Sequence, residues 1–417
     1  MSGPLEGVRG IVLTQAWAGS YCTQLLGMMG ADVVQLEVRK RLDSWRGSYD
    51  GPMPAALRSV PTAQHAWNCN PAYNSVNLNK RTATLDLATP EGVDVFKRLL
   101  VHADVVAENF SPRVLGNLGI GYEVMRSVKP DVILVSLSAY GHTGPWANVP
   151  GIGGTIEPTS GMSALLGYRD GAPMNSGQMY PDAVAGLNGF AAVLTALHHR
   201  HRTGDGQYID LSMQEANLMF VGDAALEHVL TGAQRPRLGN RHLTFAPHGI
   251  YRCAGEERWI AIAAESEAQW VALCTVAGHG EWRADARFAD NAARKANEDA
   301  LDAAIGAWTA GEGRDALARR LGAAGVFAAP VLDGLEVAHD PHLRARGFIA
   351  EVDHPEAGRW PQSGVPVRFS RTPVAVTRPA PLQGQHNLEV FGELLGMSGA
   401  EYEALARRGV SGVGPPD

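Results

Sequence analysis

Val8–Arg9–Gly10–Ile11–Val12–Leu13, Ala16–Trp17–Ala18–Gly19–Ser20 and Asp32–Val33–Val34–Gln35–Leu36–Glu37–Val38 decide the fold. The first segment is a short apolar run suited to a buried parallel strand. The second is a turn, and Tyr21 to Met29 after it reads as a helix closed by Gly30. The third is the next strand, with Glu37 near its end. Together they form a βαβ unit whose ligand end lies at the carboxyl ends of the strands.

The alternation continues outward. Thr89–Pro90–Glu91 opens a helix that runs through Leu100, with Pro in the first turn and an acidic residue beside it. Asp104 to Ala107 reads as a strand leading into Glu108–Asn109–Phe110. Tyr122 to Val128 is helical, and Val132 to Leu137 is a β-branched strand ending at Ser138–Ala139–Tyr140–Gly141. Short connections between strand and helix predict an α/β fold with a mainly parallel sheet. Pro145 to Ser163, rich in Gly, Pro, Ser and Thr, reads as a structured loop or a border. Tyr208 to Met213 is a further strand. Residues 235–329 read as a smaller α+β unit with a hairpin, Gly249–Cys253 and Trp259–Ala264. Its helices are expected over Glu267–Val276, Ala300–Ala310 and Arg314–Leu321. After Pro330, proline-punctuated extended segments lead to two last helices, near His386–Leu394 and Ala400–Arg407.

With 417 residues, 45% of them hydrophobic and 19% charged, the chain has the composition of a soluble globular protein of two or three domains. A net charge of −7 argues against a broad surface for nucleic acid or anionic membrane. Cys22, Cys69, Cys253 and Cys274 form no C-x-x-C pair and read as reduced thiols. With no signal-peptide core and no bilayer-length apolar run, a cytoplasmic location is expected.

The first turn lacks G-x-G-x-x-G and carries Trp17 where a backbone approach would be needed, so nicotinamide dinucleotide binding is not expected. His198, His199 and His201 fall at a helix end beside arginines, a setting for dipole interaction and not for a metal. Neither G-x-S-x-G nor a Walker A loop occurs. Arg39, Lys40, Arg41, Lys80 and Arg81 follow strands or loops at one end of the fold. Singly they read as solvated surface; grouped near a helix N-terminus they could hold phosphates. Asp182 precedes the apolar stretch Leu187–Leu197. An N-cap is its ordinary role, and a nucleophilic carboxylate in the positive end of a helix dipole is the other.

Several segments in series resemble one family, the family III CoA-transferases of the CaiB/BaiF type, which include formyl-CoA and carnitine CoA-transferases and alpha-methylacyl-CoA racemases. They are Pro4–Gly10, Gly30–Glu37, Asn79–Leu87, Ala103–Pro112, Ser136–Gly141, Arg202–Asp210 and Pro379–His386. The resemblance implies a large Rossmann-like domain built from 1–225 and a C-terminal return, 330–417, with the small domain, 235–329, between them. It also implies an interlocked homodimer and no metal. Asp182 falls at the family's nucleophile position, and Ala18, Arg39, Leu85, Asn109, Phe110 and Tyr140 match positions near coenzyme A. Asn117 and Ala88 stand where many relatives have basic residues; Arg113 could compensate or be plain surface. Gly249 is a candidate oxyanion donor. The implied reaction moves CoA from an acyl-CoA to a small carboxylic acid through an aspartyl anhydride and an aspartyl-CoA thioester. Ile152 stands where racemase relatives carry a proton-transferring His, which favours transfer over racemisation; a silent CoA-binding protein is the remaining alternative. Met162, Met174, Met179 and Tyr180 would suit an apolar or aromatic acyl group or ordinary core packing.

Overall fold

The computed structural model describes residues 3–416. Six strands, β1 (Arg9–Val12), β2 (Asp32–Glu37), β3 (Lys80–Thr84), β4 (Val105–Glu108), β5 (Ile133–Ser138) and β6 (Tyr208–Ser212), form one sheet. Their order is β3-β2-β1-β4-β5-β6, and every pair is parallel. This is the doubly wound Rossmann order, which reverses direction between β1 and β4. Gly10 lies opposite Val33 on one side and Val105 on the other. The chain therefore leaves β1 and β4 side by side, and the segments after them open a crevice.

The β-branched runs suit strands covered on both faces. Ile11, Val34, Val106 and Leu134 enter one core, and Val12, Val33, Val105 and Ile133 enter the other. The first core is covered by the Pro90–Leu100 helix through Phe96, Leu99 and Leu100, and by the Asn387–Leu395 helix through Val390 and Phe391. The second is covered by α1 (Ala18–Met28) and by a 24-residue helix, Tyr180–Thr203. Small residues bring these two helices together. A Cβ added at Gly186 would stand 2.9 Å from the Ala18 carbonyl oxygen, and one at Gly189 would stand 3.3 Å from Cys22 Sγ.

The chain divides into two compact units. One comprises Met1–Met162, Asn175–Val229 and Asp340–Asp417; the other comprises Ser163–Met174 and Leu230–His339. The second unit takes in a twelve-residue segment that the sequence placed in the larger part. It has a three-stranded antiparallel sheet of β7 (His248–Arg252), β8 (Trp259–Ala263) and β9 (Phe327–Pro330). Trp270, Leu273, Leu301, Ile305 and Leu317 from its helices fill a core against that sheet. The four-residue β9 ends in proline and carries too little pattern to be read in advance.

Two expectations need correction. The stretch 145–163, read as a structured loop or a border, contains the Gly153–Thr159 helix, and a boundary between the two units falls at its end. Its buried Glu157 carboxylate accepts from Ser176 N (2.5 Å) and Ser176 Oγ (2.9 Å), a tertiary anchor that local composition does not reveal. The extended region after Pro330 contains two short helices, Gly334–Ala338 and Pro341–Ala345, and a hairpin of β10 (Ile349–His354) and β11 (Gly358–Ser363). Among the described residues no helix is long and apolar enough to cross a membrane.

Candidate active site

Asp182 is not a helix cap. The Tyr180–Thr203 helix starts two residues earlier, with Pro181 in its first turn, so Asp182 is its third residue. The N-cap position belongs to Met179, whose φ of 47° is left-handed and whose side chain makes no cap bond. A methionine in that region is uncommon, and such strain persists only where surrounding structure imposes it. The Asp182 carboxylate thus projects from a first turn toward the first residue of α1, and two helix N-termini act on it.

Asp182 is 9% exposed. Burial pushes its pKa up to about 6, and the Ala18 backbone amide pulls in the opposite direction. Oδ2 is buried and has no hydrogen-bond partner among the described residues. Gly153 lies directly against it: a Cβ there would come within 2.1 Å of Oδ2 and 2.6 Å of Met179 Cβ. Only a glycine leaves room for that approach.

Polar bonds fix the crevice around this carboxylate. Asn109 Oδ1 accepts from Gln15 N, and its Nδ2 donates to Gln15 O, both at 2.8 Å, which ties the loop after β4 to the loop after β1. Gly19 packs on Asn109, since a Cβ there would stand 2.8 Å from Asn109 Oδ1. The buried Asp43 accepts from Ala16 N at 3.0 Å and from Trp45 N at 2.9 Å. Behind it, buried Arg46 makes a forked pair with Glu37 at 2.6 and 2.8 Å and lies 3.6 Å over the Tyr73 ring. Thr82 Oγ1 also donates to Glu37 Oε1.

The resulting cleft, about 350 Å³, is lined by Gln15, Ala16, Ser44, Trp45, Asn109, Phe110, Val149, Ile152, Gly153, Met179, Asp182 and Met213, among others. It sits outside the strand ends at the point where the sheet order reverses, where ligands of such sheets bind.

Of the residues expected near the cofactor, Asn109 and Phe110 line this cleft with Asp182, and Ala18 adjoins it. Tyr140 packs edge-on against Trp146 and lies close to Gly151. Leu85 is buried in the core beyond β3. The Arg39 guanidinium donates to the carbonyls of Ser411, Gly414 and Pro415, so the C-terminal segment occupies it. Arg113 is exposed just before the short Val114–Asn117 helix. Gly249 belongs to the second unit, in β7 opposite Ile262.

The basic cluster reads differently in the structure. Lys80 is fully buried, donating to Ser20 O and Asn77 Oδ1, and burial lowers its pKa to about 7. Arg81 is buried against Asp32, Glu389 and Glu393. Both are framework residues, neither solvated surface nor free phosphate ligands. Of the four methionine and tyrosine residues expected beside an acyl group, Met179 lines the cleft. Trp45, Asp43 and Met213 were not picked out from sequence; Gly153 was, as the start of a stretch, 153–163, expected to line the acyl pocket. Its local signal was the glycine spacing in Gly151–Ile152–Gly153–Gly154.

Residues 5–387 match the model of CoA-transferase family III. The chain belongs to that family. It is 34% identical over 407 residues to the succinyl-CoA–D-citramalate CoA-transferase of Chloroflexus aurantiacus, covering 98% of each chain. It is 31% identical to a formyl-CoA:oxalate CoA-transferase of Rhodopseudomonas palustris, covering 99% of this chain and 98% of that one. A crystal structure of a CaiB/BaiF family protein from Brucella suis aligns with a TM-score of 0.83 at 31% identity, over 94% of this chain and all of the other. This family III member is an enzyme that transfers CoA, with acyl-CoA and a carboxylic acid as reactants.

Proposed function

We propose that the enzyme exchanges CoA between carboxylic acids through covalent intermediates on Asp182. The Asp182 carboxylate attacks the donor thioester carbonyl, forming a mixed anhydride and releasing CoA thiolate. The thiolate attacks the aspartyl carbonyl, giving an aspartyl-CoA thioester and the free donor acid. The acceptor carboxylate attacks that thioester and regenerates an anhydride and thiolate. Attack of the thiolate on the acceptor's acyl carbon then yields the new acyl-CoA and free Asp182.

The observation that carries this reading is a desolvated carboxylate in the cleft at the sheet's switch point, with one oxygen lacking a hydrogen-bond partner. With its pKa near 6 it is ionised at neutral pH, yet it lacks the hydrogen-bonding shell that blunts a solvated carboxylate. The Ala18 amide next to it supports stabilisation of the oxyanion that forms when thiolate attacks the aspartyl carbonyl. Asn109 and Phe110 at the strand ends suit the CoA chain, and the start of α1 suits an anionic group. Asp182 is the only ionisable residue among the described ones lining the cleft, which favours transfer over two-base racemisation. His142 is bonded to Tyr208 Oη at 2.7 Å and is not part of that lining.

Incubation with an acyl-CoA donor followed by hydroxylamine should convert Asp182 to its hydroxamate, read by peptide mass spectrometry. An Asp182→Ala protein that retained full transfer activity would refute the mechanism.

A further inference from the structure

We infer that Glu108 is a positioning residue for CoA transfer: its carboxyl holds the backbone of Asn109 and Phe110 in the form that takes up CoA. The inference rests on the reading that CoA lies against these two residues.

Glu108 is the last residue of β4. Strand alternation puts its side chain on the face of Val106, which the Pro90–Leu100 helix covers. Asp182 belongs to a helix on the opposite face, so Glu108 acts on the site through the chain and not by contact. The side chain is buried, with 1% of the residue exposed. Its Oε2 accepts from Phe110 N at 2.7 Å and closes the backbone into a turn around Asn109. Asn109, so oriented, makes its two bonds to Gln15. One buried carboxyl thus stands behind the geometry of both strand-end loops.

A turn of this kind needs only a short polar side chain such as Asp or Ser. A glutamate here is expensive. Oε1 is buried with no hydrogen-bond partner among the described residues, and so is His142 Nε2, 3.9 Å away. Ser136, opposite Glu108 on β5, brings its hydroxyl near without completing a hydrogen bond. Burial pushes the Glu108 pKa up to about 7. The chain's own residues close off these atoms, so a second subunit cannot supply the missing partners. His142 is braced in turn: Nδ1 is bonded to Tyr208 Oη at 2.7 Å, and its backbone N donates to both Asp210 carboxylate oxygens at 3.0 Å. A costly buried group held this firmly calls for a role, and the one segment it fixes is the loop that lines the cleft.

Calorimetric titration with CoA itself tests this without using the chemistry of Asp182. Glu108→Met fills the same space without an acceptor and should weaken CoA binding at least about tenfold, the worth of one hydrogen bond to a charged group. Glu108→Gln keeps an oxygen for the Phe110 amide and turns its NH2 toward His142 Nε2, so it should restore affinity to within about threefold of wild type. In steady state Glu108→Met should raise KM for acyl-CoA about tenfold and lower kcat less than about threefold, the pattern of lost binding and not of lost chemistry. Wild-type affinity in the methionine variant, a glutamine variant as weak as methionine, or a kcat loss as large as the KM change would each overturn the inference. Should Glu108→Met not fold, Glu108→Ala replaces it in the same comparison. Phe110→Ala separates the two readings. Unchanged CoA affinity there would overturn the placement of CoA and this inference with it; weakening there but not in Glu108→Met would overturn this inference alone.

Discussion

Replacing Asp182 by Asn should abolish transfer and should raise stability relative to wild type progressively as pH rises. The folded carboxylate has a pKa of about 6, and the ordinary value is 3.8. The folded state therefore binds this proton more tightly than the unfolded chain does. Between these two values stability falls as pH rises, because the unfolded state releases the proton first. Linkage gives a penalty of about 1.6 kcal/mol at pH 5 and about 3 kcal/mol at pH 8, taking ~1.4 kcal/mol per pH unit. Asn does not ionise and escapes this penalty. It brings an amide N–H with no acceptor on the Gly153 side, a constant cost of roughly 1–3 kcal/mol at both pH values. The absolute difference between variant and wild type is thus small. Its change with pH is not: relative to wild type the variant should gain about 1.4 kcal/mol between pH 5 and pH 8. Urea unfolding of both proteins at the two pH values, followed by circular dichroism, measures this. A free-energy difference that is flat with pH, or that moves toward wild type, would show that the carboxylate is relaxed and solvated, and the argument from desolvation would fail.

The same ionisation governs activity: kcat/KM should fall about tenfold per pH unit below about 6 as Asp182 takes up its proton. A profile flat from pH 5 to 8 would count against a carboxylate nucleophile with that pKa. Gly153→Ala drives a Cβ into Asp182 Oδ2 and should lower kcat/KM by about 100-fold, the usual effect of a misplacement near 1 Å. Its circular dichroism should stay native, and unchanged kinetics would mean that the strap yields freely. Arg46→Ala leaves Glu37 buried without its forked partner and should cost about 3–5 kcal/mol, read as a shifted urea midpoint. A shift below about 1 kcal/mol would mean that the pair is dispensable to the loop it holds.

The parallel sheet was readable because its strands carry β-branched residues on both faces. Val33 and Val34, or Val105 and Val106, point to opposite cores, so the runs are continuous and bounded by turns. Start signals such as Thr89–Pro90–Glu91 placed a helix with its cap, and Thr89 Oγ1 does accept from Gly92 N at 3.0 Å. Elements held by distant partners were not readable. The Gly153–Thr159 helix contains Pro158, two glycines and two threonines, all poor helix formers, and it persists because Glu157 reaches Ser176 and because Asn175 donates to Gly154 O. Asp182 drew attention through Pro181 and the helix that follows, but its role as cap or nucleophilic carboxylate depended on where the first turn began. Local residues do not fix that within a turn. Arg39, Lys80 and Arg81 show a second limit. Charge in sequence carries no information on partners, and here the C-terminal segment, a buried amide and three acidic residues claim them.

A buried carboxylate with an unpartnered oxygen, a left-handed Met179 and an exposed Ile152 at a helix cap all disfavour the fold, and all three border one cleft. Their coincidence there requires a rigid surround, since a mobile crevice would turn the carboxylate to water and relax the backbone. That surround is the polar frame on the other wall. Asp43 holds the turn at Ala16, itself left-handed with φ 51°, while Glu37 and Arg46 hold the loop that bears Asp43. Asn109 binds the two strand-end loops to each other. Glu37, Asp43 and Arg46 are buried and satisfied, and Asn109 is half-buried and satisfied, where Asp182 Oδ2 is buried and unsatisfied. The contrast has a direct consequence: loosening the frame should stabilise the carboxylate as it weakens the reaction, because solvent admitted to the cleft lowers the pKa of Asp182 toward 3.8.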